Sequence, residues 1–153
     1  MDLIEFNLGG NGANTSFALA TLGLRVGLLS AVGQDDFGCE VIRKLTSAGV
    51  DVSGVQRIAG KSTPVSVVLV HPDGKRALLH SPGASREAFH DGIDLSELPL
   101  DGVRHFHLAN LFTLQSFQKH AGKLLEQART LGLSTSLDTG WDAQGLWLKT
   151  LEP

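Results

Sequence analysis

Cysteine is nearly missing from this chain: Cys39 is the only one in 153 residues. No disulfide can close within the chain, and a reducing compartment is the reading that follows. Cys39 itself reads as a small buried side chain on a helix rather than as a nucleophile. Long apolar runs are missing too, and nothing approaches the roughly 20 residues of a membrane-spanning helix. Met1-Asp2-Leu3-Ile4-Glu5 lacks the basic stretch and apolar core of a secretory leader. Lys and Arg number 13 against 16 acidic residues, giving a net charge of −3, and they are scattered. There is no basic stripe for nucleic acid or an anionic membrane, so neither is an expected partner. Repeats and low-complexity segments are absent as well. A cytoplasmic protein is the expectation.

What is present is a globular composition, 42% hydrophobic and 19% charged. A chain of this length buries roughly 70% of the surface its unfolded form exposes, enough for one domain with a core. The stretch that organises it is Leu8-Gly9-Gly10-Asn11-Gly12-Ala13-Asn14-Thr15-Ser16. An alternating segment from Leu3 to Leu8 reads as a half-buried strand, and the residues from Thr15 to Leu22 read as a helix. Strand, glycine turn and helix start aim free N–H groups and partial positive charge at a polar ligand. Asn11 and Asn14 add carboxamides that both donate to and accept from hydroxyls. The chemistry suits a sugar at least as well as a phosphate. A phosphate-gripping P-loop is excluded, because no Gly-Lys-Ser/Thr follows. Gly10-Asn11-Gly12 also supplies the first two glycines of a dinucleotide fingerprint, but Thr15 stands at the third position. The half of a nucleotide-binding oxidoreductase and a purely structural turn are the competing readings.

Along the chain, helix 1 ends at Gly23, and the run from Arg25 to Val32 reads as a buried strand. A second helix follows, with Asp35 or Asp36 as N-cap and Phe37, Val41, Ile42 and Leu45 on one face. It closes at Ala48-Gly49, and Val50, Val52 and Val55 form an edge. Residues 64–71 and 76–80, joined by Pro72-Asp73-Gly74-Lys75, predict a β-hairpin. A short helical turn at 94–98 precedes a strand at 103–109, a long helix at 113–131, a strand at 133–138 and a closing helix at 141–151. Strands alternating with helices predict a parallel sheet with helical crossovers, and the hairpin reads as an appendage. The chain starts almost inside a strand and stops just after a short helix, so it is read as part of a longer protein with apolar surface left exposed.

Two polar residues at strand ends are further candidates for a ligand site: Asn110 and Asp138. Each has a turn or cap role as its plainer alternative. His105 and His107 share one face of a strand, but no third metal ligand is evident and no metal site is expected. Asp35 and Asp36 read as caps, not catalysts. Trp141 and Trp147 read as core, or as an interface with a missing part.

Gly9-Gly10-Asn11-Gly12-Ala13-Asn14 closely resembles the N-terminal signature of the ribokinase-like (PfkB-type) carbohydrate kinases. Ala31-Val32-Gly33-Gln34-Asp35-Asp36-Phe37-Gly38, Leu45-Thr46-Ser47-Ala48-Gly49-Val50-Asp51, Thr63-Pro64, Asp73-Gly74-Lys75-Arg76 and Pro82-Gly83-Ala84 continue the resemblance in the family's order. Ser136-Leu137-Asp138-Thr139-Gly140-Trp141 resembles a late strand end of sugar kinases. The resemblance covers nearly all of the chain. It implies an α/β fold, the three-layer α/β/α sandwich with a small β-sheet lid, truncated at both ends. Residues 1–153 are then the substrate-side part of one domain, with the lid hairpin at about 62–81. It further implies ATP and Mg2+ as cofactors of the parent enzyme, a sugar or polyol substrate contacted by Gly10, Asn11 and Asn14, and a homodimer through the lid. Asn110 and Asp138 join the expected substrate-binding set. Two features of the family are absent: an earlier strand carrying a sugar-gripping aspartate, and the catalytic Gly-Ala-Gly-Asp segment. The expectation is therefore a kinase portion without turnover of its own, with a non-catalytic sugar-binding or regulatory module as the alternative.

Overall fold

The computed structural model describes residues 5–142 and 144–151. The chain divides between Ser85 and Arg86 into two compact units. In the first, helix α1 runs Asn11–Thr21 and ends in a Schellman motif: Gly23, at φ +85°, donates to Ala20 O and Leu24 donates to Leu19 O. Strand β1 (Val26–Gly27) pairs in parallel with β3 (Val50–Asp51), and β2 (Ser30–Gly33) with β4 (Val55–Ile58). Helix α2 (Asp36–Ser47) connects the two halves of this arrangement, capped at its start by Asp35, whose carboxylate accepts from Gly38 N. Leu28, Leu45 and Val50 form the core, with Leu8, Ala13, Ala20, Val41, Val52 and Val55 packed against it.

The hairpin is β5 (Val65–Val70) against β6 (Arg76–Ser81), antiparallel, with Val67 opposite Leu79 and Val68 opposite Leu78. At its tip the Asp73 carboxylate accepts from Lys75 N at 3.0 Å, the Asx bond that the Pro-Asp-Gly sequence favours. In the second unit β7 (His105–Leu108) pairs in parallel with β8 (Ser134–Leu137), and α3 (Gln118–Thr130) joins them. Phe117, Ala121, Leu124 and Ala128 bury the α3 face against Leu95, Leu108, Leu111 and Leu133. A short helix α4 spans Leu148–Leu151.

The structure departs from the sequence reading at several places. Leu3 and Ile4 of the alternating segment lie outside the described residues, and Glu5 to Leu8 form no ladder. Helix α1 begins at Asn11, four residues early, so Gly10 is its N-cap and Gly12 lies in its first turn rather than in a loop before it. The run from Arg25 to Val32 is two strands. Its partner chain turns at Asp51, whose carboxylate accepts from Ser53 N, and the ladder breaks opposite that turn. Helix α3 begins at Gln118 because Leu111 and Phe112 donate to Asp138 O and Thr139 O and are drawn along the strand end. Most of 141–147 is loop, since the buried Asp142 carboxylate accepts from Gln144 N and Trp147 N. Phe37 is half exposed and stacks near Phe6. Cys39 is exposed, with the Arg57 guanidinium at 3.7 Å from its sulfur, and is not the core residue expected.

Candidate functional site

Gly10 is the N-cap of α1 at φ +90°, ψ 135°, and no side chain caps the helix. That backbone region belongs to glycine because a Cβ collides with its own chain there. Crowding is not the reason, since a Cβ on Gly9 or Gly10 would meet no heavy atom within 4 Å. Gly10, Asn11 and Asn14 are all exposed. The Asn14 amide donates to Gly10 O at 2.9 Å, closing the first turn, and Ser16 Oγ donates to Gly12 O at 2.7 Å. The N–H groups of Gly12 and Ala13 lie in the first turn, where helix geometry offers no i−4 carbonyl, and that turn holds no acidic residue. The corner can therefore donate from its main chain, and both carboxamides stand at its surface.

In the second unit, Asn110 and Asp138 follow β7 and β8 and come together. Asp138 N donates to Leu108 O at 2.9 Å, and Leu111 N donates to Asp138 O at 3.1 Å. The Asp138 carboxylate accepts from Gly140 N at 2.9 Å. Asn110 is left-handed at φ 60°, ψ 42°, a conformation asparagine tolerates better than most residues. Its Oδ1 lies 2.0 Å from where a Cβ on Gly140 would sit, so Gly140 is glycine both for its φ of +68° and for this approach. Two half-buried polar side chains thus share the carboxyl ends of adjacent parallel strands, where open α/β sheets hold ligands.

His105 and His107 hydrogen-bond hydroxyls: His105 contacts Ser134 Oγ and Ser136 Oγ, and His107 contacts Ser136 Oγ, at 2.7–2.8 Å. Among the described residues no group of three or more His, Cys, Asp or Glu is placed to hold a metal. A cleft of 230 Å³ in the second unit is lined by Asp91, Asp94, His120, Lys123 and Gln127 among others, none of them a predicted site residue. Asp35 is an N-cap as expected, and the Thr63 hydroxyl, above all its partners, holds its carboxyl below the usual range. The Thr63 partnership escaped the sequence reading. Asp142 did too: bonded first by Trp147 N, it also titrates low. Only Thr63-Pro64 at the foot of an apolar run gave a signal for the first.

These features define a parallel α/β protein with polar groups on its strand-end loops and an antiparallel hairpin. The chain belongs to the pfkB family of carbohydrate kinases: the profile described as "pfkB family carbohydrate kinase" matches residues 2–149. It is 34% identical over 132 residues to an ATP-dependent ribose-1-phosphate kinase of Halopiger xanaduensis, covering 86% of this chain and 42% of that protein. It is 36% identical over 135 residues to a nucleoside kinase of Methanothermobacter thermautotrophicus, covering 88% and 41%. The crystal structure of a PfkB protein from Polaromonas sp. JS666 superposes with a TM-score of 0.74 at 26% identity, covering 85% of this chain and 45% of that one. The fold is ribokinase-like α/β. The chain spans about two fifths of the length of the curated relatives it matches. Among the described residues no helix is long and apolar enough to cross a membrane.

Proposed function

We propose that the protein carrying this chain is a cytoplasmic kinase that moves the γ-phosphoryl of ATP, with Mg2+, onto a hydroxymethyl group of a sugar or related polyol. This chain supplies the sugar-binding part. The observation that carries the reading is the start of α1, where Gly10 takes a conformation reserved for glycine beside the carboxamides of Asn11 and Asn14 at the surface. Gly10, Asn11 and Asn14 grip hydroxyls in this reading, and Asn110 and Asp138 contribute polar groups at their strand ends. The names of the two relatives, a ribose-1-phosphate kinase and a nucleoside kinase, support an acceptor built on a pentose. Residues 1–153 are the substrate-side portion of one ribokinase-like domain, with the flap at about 62–81. The flap serves also as a homodimer contact, supported by the apolar side chains it exposes.

No Gly-Ala-Gly-Asp segment occurs in the sequence, so the anion hole and base that drive phosphoryl transfer are not supplied by this chain. The same observation favours a second reading, a sugar-binding module without catalysis. A Gly-Ala-Gly-Asp segment in the reading frame beyond Pro153 supports the kinase over the module. Titration calorimetry of the chain against ribose, fructose, a nucleoside and NAD tests the sugar site. Weak heat from a sugar or nucleoside and none from NAD is expected, with no ADP released in a coupled assay. Heat from NAD alone overturns the carbohydrate reading in favour of a dinucleotide fold.

A further inference from the structure

Two stretches distant in sequence, residues 33–38 and 61–63, meet at Asp35. Its Oδ1 accepts from Gly38 N at 2.9 Å and from the Thr63 hydroxyl at 2.5 Å, and its Oδ2 accepts from Thr63 N at 2.8 Å. The Thr63 hydroxyl oxygen also accepts from Gly33 N at 3.0 Å, and Thr63 is 4% exposed. The joint is tight at its backbone. A Cβ on Gly38 would lie 2.4 Å from Gly33 O, and one on Gly33 would lie 2.3 Å from Lys61 O.

The second root of the hairpin is tied to the first. Ala84 N donates to Ser62 O at 2.8 Å, and a Cβ on Gly83 would fall 2.2 Å from that same oxygen. Residues 61–63 and 82–84 therefore form one knot, held to the end of β2 and the start of α2. A helix cap needs only the bond from Gly38. The two bonds to Thr63 do something else, because they fix the chain as it enters β5. Beyond the knot the hairpin has little to hold it. Val67, Val68, Leu69, Val70, Leu78 and Leu79 are all exposed, and a lone two-stranded hairpin is marginal in water. Its pairing depends on having its ends brought together, which is what the knot supplies.

We infer that Asp35 is a latch that clamps both roots of the β5–β6 hairpin to the corner between β2 and α2, so that the hairpin bends within residues 64–81 and not at its roots. This stands on the bonds of the joint and is independent of the ligand proposed above.

Hydrogen–deuterium exchange of the 153-residue chain tests it, with Thr63→Val, Thr63→Ser and Asp35→Asn beside the natural sequence. Thr63→Val removes the hydroxyl, keeps the shape and leaves Asp35 capping α2. Exchange at the root end of the hairpin, around Val65, Ser66, His80 and Ser81, is expected to rise about fivefold, the scale of one lost hydrogen bond. The effect fades toward Val70 and Arg76, and α2 stays protected. Thr63→Ser restores the natural pattern. Asp35→Asn presents an amide to Thr63 N–H, and loosens the roots while its remaining oxygen still caps α2. Two outcomes overturn the latch: root-end exchange unchanged in both Thr63→Val and Asp35→Asn, or acceleration spread evenly over the unit, which reports general destabilisation. A urea midpoint for each variant shows whether it is folded; should Thr63→Val fail to fold, Asp35→Asn against Thr63→Ser decides.

Discussion

Gly10 and Gly140 both hold positive φ, +90° and +68°, yet they tolerate a methyl group differently. Alanine at Gly10 meets open space, so its cost is backbone strain alone, about 1–3 kcal/mol. Alanine at Gly140 adds a collision with the Asn110 carboxamide. That amide can swing aside, so the expected stability loss stays at about 1–2 kcal/mol. Sugar affinity then falls, because Asn110 is displaced. Urea unfolding and calorimetry on Gly140→Ala separate the two effects, and stability loss with full affinity would count against a binding role for Asn110. The carboxylates supply a second test at this scale. The folded chain holds Asp35 and Asp142 ionised to lower pH than their ordinary value of 3.8, by hydrogen bonds from Thr63 and from Trp147 N respectively. Folding therefore binds fewer protons at these sites. The stability they contribute is whole above that value and is lost as pH falls through the lowered folded one. Urea midpoints between pH 7 and pH 3 are expected to drop at the acid end. Asp35→Asn lowers the midpoint at pH 7 and flattens the drop.

Two helical glycines respond to alanine in opposite directions at the scale of the element. Gly122 lies on the exposed side of α3, and a Cβ there meets nothing within 4 Å. Gly122→Ala is expected to stabilise by about 1 kcal/mol through helix propensity alone. Gly38 is also helical, on α2, but the added Cβ would lie 2.4 Å from Gly33 O. Backbone must move, and Gly38→Ala is expected to destabilise by about 3 kcal/mol or more. Thermal melts of both variants check the sign. The same contrast explains which elements were legible beforehand. The α2 cap, the Gly23 stop of α1 and the Pro72-Asp73-Gly74-Lys75 turn are local signals, and they hold. The starts of α1 and α3 and the break between β1 and β2 were misread. Each is decided by a partner elsewhere: the packing of Ala13 and Ala20, the carbonyls of Asp138 and Thr139, and the turn at Asp51.

At the scale of the whole molecule, large apolar side chains stand at the surface of both units. Leu22, Val70, Leu78, Leu79 and Trp141 are each more than 60% exposed. On the hairpin, exposed apolar side chains on paired strands mark an interaction site or association. Sedimentation velocity is expected to show concentration-dependent self-association. On the hairpin, Val65, Val67, Leu69, Ala77 and Leu79 share one face by register. Leu79→Lys with Val67→Thr should weaken association if that face is the dimer contact. Undiminished association would assign it to another surface. The chain spans about two fifths of the length of the curated relatives it matches.

The order of the elements, the parallel α/β class, the β-hairpin and the family were written in local sequence, in apolar periodicity, turn residues and the spacing of glycine-rich segments. These depend on neighbours a few positions apart, so a linear reading reaches them. Tertiary structure alone decided that Asp35 joins Thr63 as well as capping α2, that Asn110 leans over Gly140, and that Cys39 faces outward. Those outcomes turn on which distant backbone groups arrive within hydrogen-bonding or van der Waals range, and that distance is a property of the folded chain.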